Sequence, residues 1–240
     1  MNLSMILQAT QVQDSIGQAS EMAGEIVQQE KTLRVIDLIM NSGAGGMLII
    51  AILFIMLFIA LVIYFERLSA IKAASKIDPS FMNQIRTYIK TGNLDGAKQL
   101  CQQYDTPVAN LIKKGITRIG KPLEDINKAI ENSGKLEVYK LEKNVNTLAT
   151  IAGAAPMIGF LGTVIGMILA FHNMASGGGQ IEVSSLAQGI YTAMTTTVAG
   201  LIVGIVAYIA YNHLVVKTDK VVHQMEANAV DFLDLLNEPN

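Results

Sequence analysis

The chain has 240 residues, a mass of 25.9 kDa and a mean hydropathy of +0.39, with 51% hydrophobic and only 16% charged residues, a balance that excludes a purely soluble domain. Eighteen Lys and Arg stand against twenty Asp and Glu, so the basic excess that nucleic-acid phosphates require is missing. The one cysteine, Cys101, excludes an intrachain disulfide framework and a zinc–cysteine cluster, and reads as a reduced, buried small hydrophobe.

Residues 1–45 form a polar lead-in. Met1 to Thr10 lacks the positive n-region of a cleaved signal peptide. Thr32 to Met40 sets Leu33, Ile36, Leu38, Ile39 and Met40 against Arg34 and Asp37, which fits either an amphipathic helix at the membrane interface or a plain approach to the first span.

Three windows hold no Asp, Glu, Lys or Arg: Asn41 to Phe65, Thr147 to Ile181 and Val183 to Val216. Each is long enough to cross a hydrocarbon core of about 30 Å, which takes roughly 20 helical residues. Spans are predicted at 46–65, 148–172 and 188–211. They are read as helices, because unpaired backbone is not tolerated in lipid and no window alternates with period two.

Span one, MLIIAILFIMLFIALVIYF from Met47 to Phe65, is bulky all round and has no glycine, as suits a helix facing lipid. Span two carries Ala152, Ala155, Gly159, Gly162, Thr163, Gly166 and Ala170 at steps near 3 and 4. Span three repeats the device with Gly189, Ala193, Thr196, Thr197, Gly200, Gly204 and Ala207. The pairs Gly162/Gly166 and Gly200/Gly204 predict close helix packing.

Thr163 and Thr197 each lie nine residues inside the presumed outer end of their span, at His172 and Gln188. Both are therefore about 14 Å deep. Membrane threonines commonly bond the backbone one turn back, and that reading stands beside a pore-facing one. Since Thr192, Thr195, Thr196 and Thr197 cannot share one narrow face, some of them meet a pore or a partner helix; Thr163, Thr192, Thr196 and Thr197 are the pore-lining candidates. No ionisable carboxylate, lysine or arginine lies in any span, so a proton carrier must come from another subunit. His172 and His213 fall at span ends and read as interfacial anchors.

Fourteen of the 18 basic residues lie between Arg67 and Lys143, none in the 173–187 loop. The positive-inside rule then places 66–147 and the C-terminal segment 212–240 in the cytoplasm, and residues 1–45 and 173–187 in the periplasm. Between spans one and two, helices are predicted at Ser80 to Lys90, Asp95 to Gln103 and Val108 to Arg118. A further helix from Pro122, with Ile126, Ile130, Val138, Leu141, Val145 and Leu148, is predicted to run straight into span two. After span three, Val215, Thr218, Val222, Met225, Ala229, Phe232 and Leu236 form a coiled-coil-like seam. Gly115 to Pro122, GITRIGKP, nearly matches a phosphate loop, but Pro122 stands where Ser or Thr must bind magnesium. No metal, cofactor or catalytic constellation is visible, so the chain does not read as an enzyme.

Ala149 to Gly166, ATIAGAAPMIGFLGTVIG, with Pro156, Gly159 and the Gly162-Thr163-Val164 core, closely resembles span two of the MotA/TolQ/ExbB proton channel family. Gly189 to Asn212, GIYTAMTTTVAGLIVGIVAYIAYN, resembles its span three, most of all that of ExbB and TolQ, and the Glu66-Arg67 pair closing span one fits as well. The resemblance implies an all-α, three-span protein of the inner membrane of a Gram-negative bacterium. It also implies a homo-oligomeric, pentameric ring around a single-span ExbD-like partner whose helix carries an aspartate, with a TonB-like protein passing work to outer-membrane transporters. Thr163 and Thr197 match the two family threonines facing that aspartate. One departure is Thr192, where ExbB commonly has glutamate. A TolQ-like envelope protein, a motility stator and a non-conducting membrane scaffold are the competing readings.

Overall fold

The computed structural model describes residues 43–76, 78–176 and 183–237, all of them helical or in short connections. The segment Thr32 to Met40, residues 177–182 of the 173–187 loop and the last three residues lie outside the described residues. Among the described residues seven helices follow in order: α1 (Gly43–Ala74), α2 (Phe81–Lys90), α3 (Leu94–Tyr104), α4 (Pro107–Ile116), α5 (Leu123–Glu142), α6 (Val145–Ser176) and α7 (Val183–Asn237). Three of them, α1, α6 and α7, are long and apolar enough to cross a membrane, and they include residues 46–65, 148–172 and 188–211.

In α1, Ile49, Leu53, Ala60, Ile63, Arg67 and Ile71 are buried on one stripe against α6 and α7. Phe54, Ile55, Phe58, Val62 and Phe65 point outward. An apolar outer surface of this kind is stable only in lipid.

The shorter helices α2, α3 and α4 form a polar module with α5 and the C-terminal half of α7. Local chemistry sets their boundaries. Gly92, at φ 73°, takes the left-handed turn after α2 that a β-carbon would resist. The Asn93 side chain accepts from Gly96 N at 2.9 Å to start α3, and Thr106 accepts from Ala109 N at 3.4 Å ahead of Pro107 to start α4. Their apolar faces meet in a core of large side chains that includes Phe81, Ile85, Val108, Ile112, Ile116 and, from α7, Val221, Met225 and Phe232.

Two expectations change. The helix from Pro122 does not run into span two: Lys143 has ψ 129° and Asn144 has φ 62°, which ends α5 and starts α6 afresh. Apolar spacing continues through the break, and Asn144 is what breaks it, because asparagine adopts the left-handed conformation more readily than other side chains. The seam on the far part of α7 is also broader than a coiled-coil stripe. Thr218, Met225 and Phe232 are buried as expected, but so are Leu214, Val221 and Leu235. That face packs on α4 and α5 of the same chain, and a globular core takes a wider stripe than a partner helix does.

α7 runs unbroken for 55 residues, about 80 Å at 1.5 Å per residue. It belongs to both the apolar bundle and the polar module.

Candidate functional site

The antiparallel contact between α6 and α7 is built at glycines, which face either backbone or small side chains of the other helix. A β-carbon added at Gly159 would lie 2.8 Å from Thr196 O, one at Gly200 2.6 Å from Ala155 O, and one at Gly166 2.9 Å from Ala193 Cβ. At Gly162 it would overlap the Thr196 hydroxyl. Gly189 meets Ala170, and Gly204 makes room for the Pro156 ring, with Cγ 2.6 Å from its would-be β-carbon. Pro156 sits inside α6 and has no N–H to give Ala152 O, the carbonyl that approaches Gly204 to 3.1 Å on the same measure. The six predicted packing residues Pro156, Gly159, Gly162, Gly166, Gly200 and Gly204 all fall on this seam. Gly153 does not: nothing lies within 4 Å of its would-be β-carbon.

The pairs Gly162–Thr196 and Gly166–Ala193 set the register, and they bring Thr163 to the level of Thr196 and Thr197. Every hydroxyl at that level with a partner bonds a backbone carbonyl. Thr163 donates to Phe160 O at 2.6 Å and Thr195 to Tyr191 O at 2.9 Å, both within their own helix. Thr197 crosses to Gly159 O at 3.1 Å, where Thr196 also reaches at 3.3 Å while bonding Ala193 O at 2.7 Å.

Thr196 is therefore a correction to the pore-lining set. It is 1% exposed, filling the notch that Gly162 opens, so its hydroxyl is used in the seam. Thr163, Thr192 and Thr197 are partly exposed on the bundle surface.

A second cluster lies where the apolar bundle meets the polar module. Tyr64 Oη and His213 Nδ1 are 3.0 Å apart, so His213 ties α7 to α1 and is more than an interfacial anchor. Arg67, 9% exposed, contacts Glu66 and donates from Nη1 to Lys140 O at 3.1 Å. On the same turn of α5 the buried Glu137 carboxylate takes Lys140 Nζ at 2.7 Å and Asn110 Nδ2 of α4 at 3.4 Å. Charge counting gave no sign of these contacts, since it assumes a solvated face; the usable signal was Arg67 on the buried stripe of α1, four residues after Ile63.

Burial pushes the Cys101 thiol up to about 11, so it stays protonated. Among the described residues no group of three His, Cys, Asp or Glu could hold a metal ion.

Comparison with known proteins agrees with this geometry. Residues 103–227, more than half of the chain, match the model of the MotA/TolQ/ExbB proton channel family. A putative biopolymer transport protein ExbB homolog of Methanothermobacter thermautotrophicus is 26% identical over 162 residues, 67% of this chain but only 57% of that protein. The Tol-Pal system protein TolQ of Pseudomonas aeruginosa is 25% identical over 73% of this chain and 80% of its own length. In fold, the chain is similar to a solved structure of C. jejuni MotAB, with a TM-score of 0.52 at 19% identity, over 99% of this chain and 89% of that one. Three apolar helices, a small-residue seam and a family match across it lead to one conclusion: the chain belongs to the MotA/TolQ/ExbB proton channel family.

Proposed function

We propose that the chain is an ExbB-like ring subunit of an inner-membrane transducer of the proton-motive force. In this reading five copies surround an ExbD-like single-span partner with an intramembrane aspartate, and a TonB-like protein carries the work to outer-membrane transport. The N-terminus is periplasmic, and the polar module and C-terminus are cytoplasmic. The observation that carries the reading is a seam with hydroxyls gathered at one depth in spans that hold no ionisable carboxylate or base of their own. Such a site is equipped to serve a proton carrier and not to be one.

Thr163 and Thr197 already donate their hydroxyl protons to Phe160 O and Gly159 O, which leaves oxygen lone pairs free. Toward a protonated partner carboxyl they act as acceptors without moving. Toward a carboxylate they must swing off the backbone and donate. Protonation of the partner thus selects between two hydroxyl rotamers, and a hydrogen bond to a charged group, worth about 1.5–3 kcal/mol, is enough to bias the two states.

The test is Thr163→Val and Thr197→Val in cells that depend on this protein for energised uptake. Uptake is expected to be lost or to fall at least about tenfold, with protein level and ring assembly unchanged. Wild-type uptake in both variants would overturn the role given to the hydroxyls.

The likeness to TolQ, over a larger share of both chains, favours a second reading as an envelope-integrity component. Co-purification decides between them: an ExbD-like partner supports the first, a TolR-like partner the second, and no partner at all a non-conducting scaffold.

A further inference from the structure

We propose that Arg67 is a positioning residue for α6: it locks the end of α5 to α1 and so makes the Lys143–Asn144 break a pivot about which α6 tilts. The inference rests on the transducer reading and adds a moving part to it.

Of the three apolar helices, α1 and α7 continue without interruption past the Tyr64–His213 contact into the polar module. α6 alone is severed there, by Lys143 at ψ 129° and Asn144 at φ 62°. The two sides of the break are held differently. On the α5 side, Lys140 O is one of the last four carbonyls of the helix, which have no donor within it. It receives Arg67 Nη1 at 3.1 Å, which places the guanidinium, itself paired with Glu66, at the negative end of the helix. Glu137 and Asn110 fasten the same turn to α4. On the α6 side, the first turn is held by the apolar side chains Val145 and Leu148.

A buried guanidinium is costly, the more so here because Arg67 Nε has no hydrogen-bond partner. Packing alone would be served better by an aliphatic side chain. What arginine adds is a directional, charged grip on one carbonyl across 73 residues of sequence.

The lever is long enough to matter. Thr163 lies 19 residues beyond Asn144, about 28 Å along the helix, so a tilt of about 5° at the break moves its hydroxyl by about 2.5 Å, close to the length of a hydrogen bond. The seam keys α6 to α7 where Thr196 fills the Gly162 notch and the Pro156 ring sits against Gly204, so such a tilt works against these contacts and against the Thr197 bond to Gly159 O.

Hydrogen–deuterium exchange on the full-length protein in complex with its single-span partner tests the lock. Arg67→Met is expected to raise exchange at residues 139–147 about tenfold while leaving 159–166 unchanged, and Arg67→Lys to restore most of the protection. The pivot is tested separately by energised uptake. Asn144→Ala, which removes the side-chain amide that lets asparagine tolerate the left-handed φ and favours one continuous helix, should cut uptake roughly fivefold or more. Asn144→Gly, which accepts that φ, should stay within about twofold of wild type. Wild-type exchange at 139–147 in Arg67→Met, a rise spread over the whole chain, or full uptake in Asn144→Ala would each overturn the proposal. Full activity of the Thr163 and Thr197 variants would instead count against the transducer chemistry and leave the exchange result standing.

Discussion

The α6–α7 seam and the core of the polar module respond to volume with opposite sign. In the polar module, large side chains such as Phe81, Ile112 and Phe232 fill space between helices, and stability depends on atoms being present. In the seam, Gly159 and Gly200 bring one backbone against another, Gly162 and Gly204 make room for Thr196 and Pro156, and stability depends on atoms being absent. The solvents explain the contrast. Water drives large apolar surfaces together around the polar module. Lipid gives two apolar helices no such push, so they gain only by close contact and by bonds such as Thr197 to Gly159 O.

Four substitutions would break or sharpen this contrast, measured as unfolding free energies of the purified protein in detergent. The largest effect is expected from Phe232→Ala, which empties the centre of the polar module beside Gly115 and should cost about 3–5 kcal/mol. Next comes Gly200→Ala. Its single added carbon meets the Ala155 carbonyl at 2.6 Å, and backbone cannot step aside, so a loss of about 1–3 kcal/mol is expected from an insertion rather than a deletion. A neutral Gly200→Ala would erase the contrast.

A smaller effect concerns pH. The Cys101 thiol titrates at about 11 in the fold against an ordinary value of 9.0, so above pH 9 the unfolded chain releases its proton first and gains stability relative to the fold. The fold should lose roughly 1 kcal/mol by pH 10 through this group, and Cys101→Ala should flatten that part of the pH profile. An unchanged slope in the variant would count against a buried neutral thiol. The smallest effect is expected at Gly153→Ala, where nothing surrounds the new carbon, and stability should stay within about 1 kcal/mol of wild type. A large loss there would show that the seam extends further along α6.

Much of this was legible before any coordinates. The uncharged windows marked α1, α6 and α7, and the glycine spacing marked the seam, because both depend on composition along one helix. What escaped depended on neighbours. Thr196 and Thr197 are adjacent in sequence and look equivalent, yet only the notch at Gly162 decides which one is buried. The apolar period of Ile126, Ile130 and Leu141 continues to Val145 and Leu148, so periodicity alone could not see the break that one backbone angle at Asn144 makes. Arg67 was visible as a charge, but its burial and its bond to Lys140 O depend on helices distant from it in sequence.

The unbroken backbone of α7 has a mechanical consequence. A helix without a joint behaves as a torsion rod, since twisting it strains every hydrogen bond in series. From Thr197 to Phe232 is 35 residues, about 52 Å, all within that one rod. A turn imposed on the membrane end is therefore delivered, nearly undiminished, to the core around Phe232, and a clamp on the far end near Leu235 would act as a brake at the depth of Thr197.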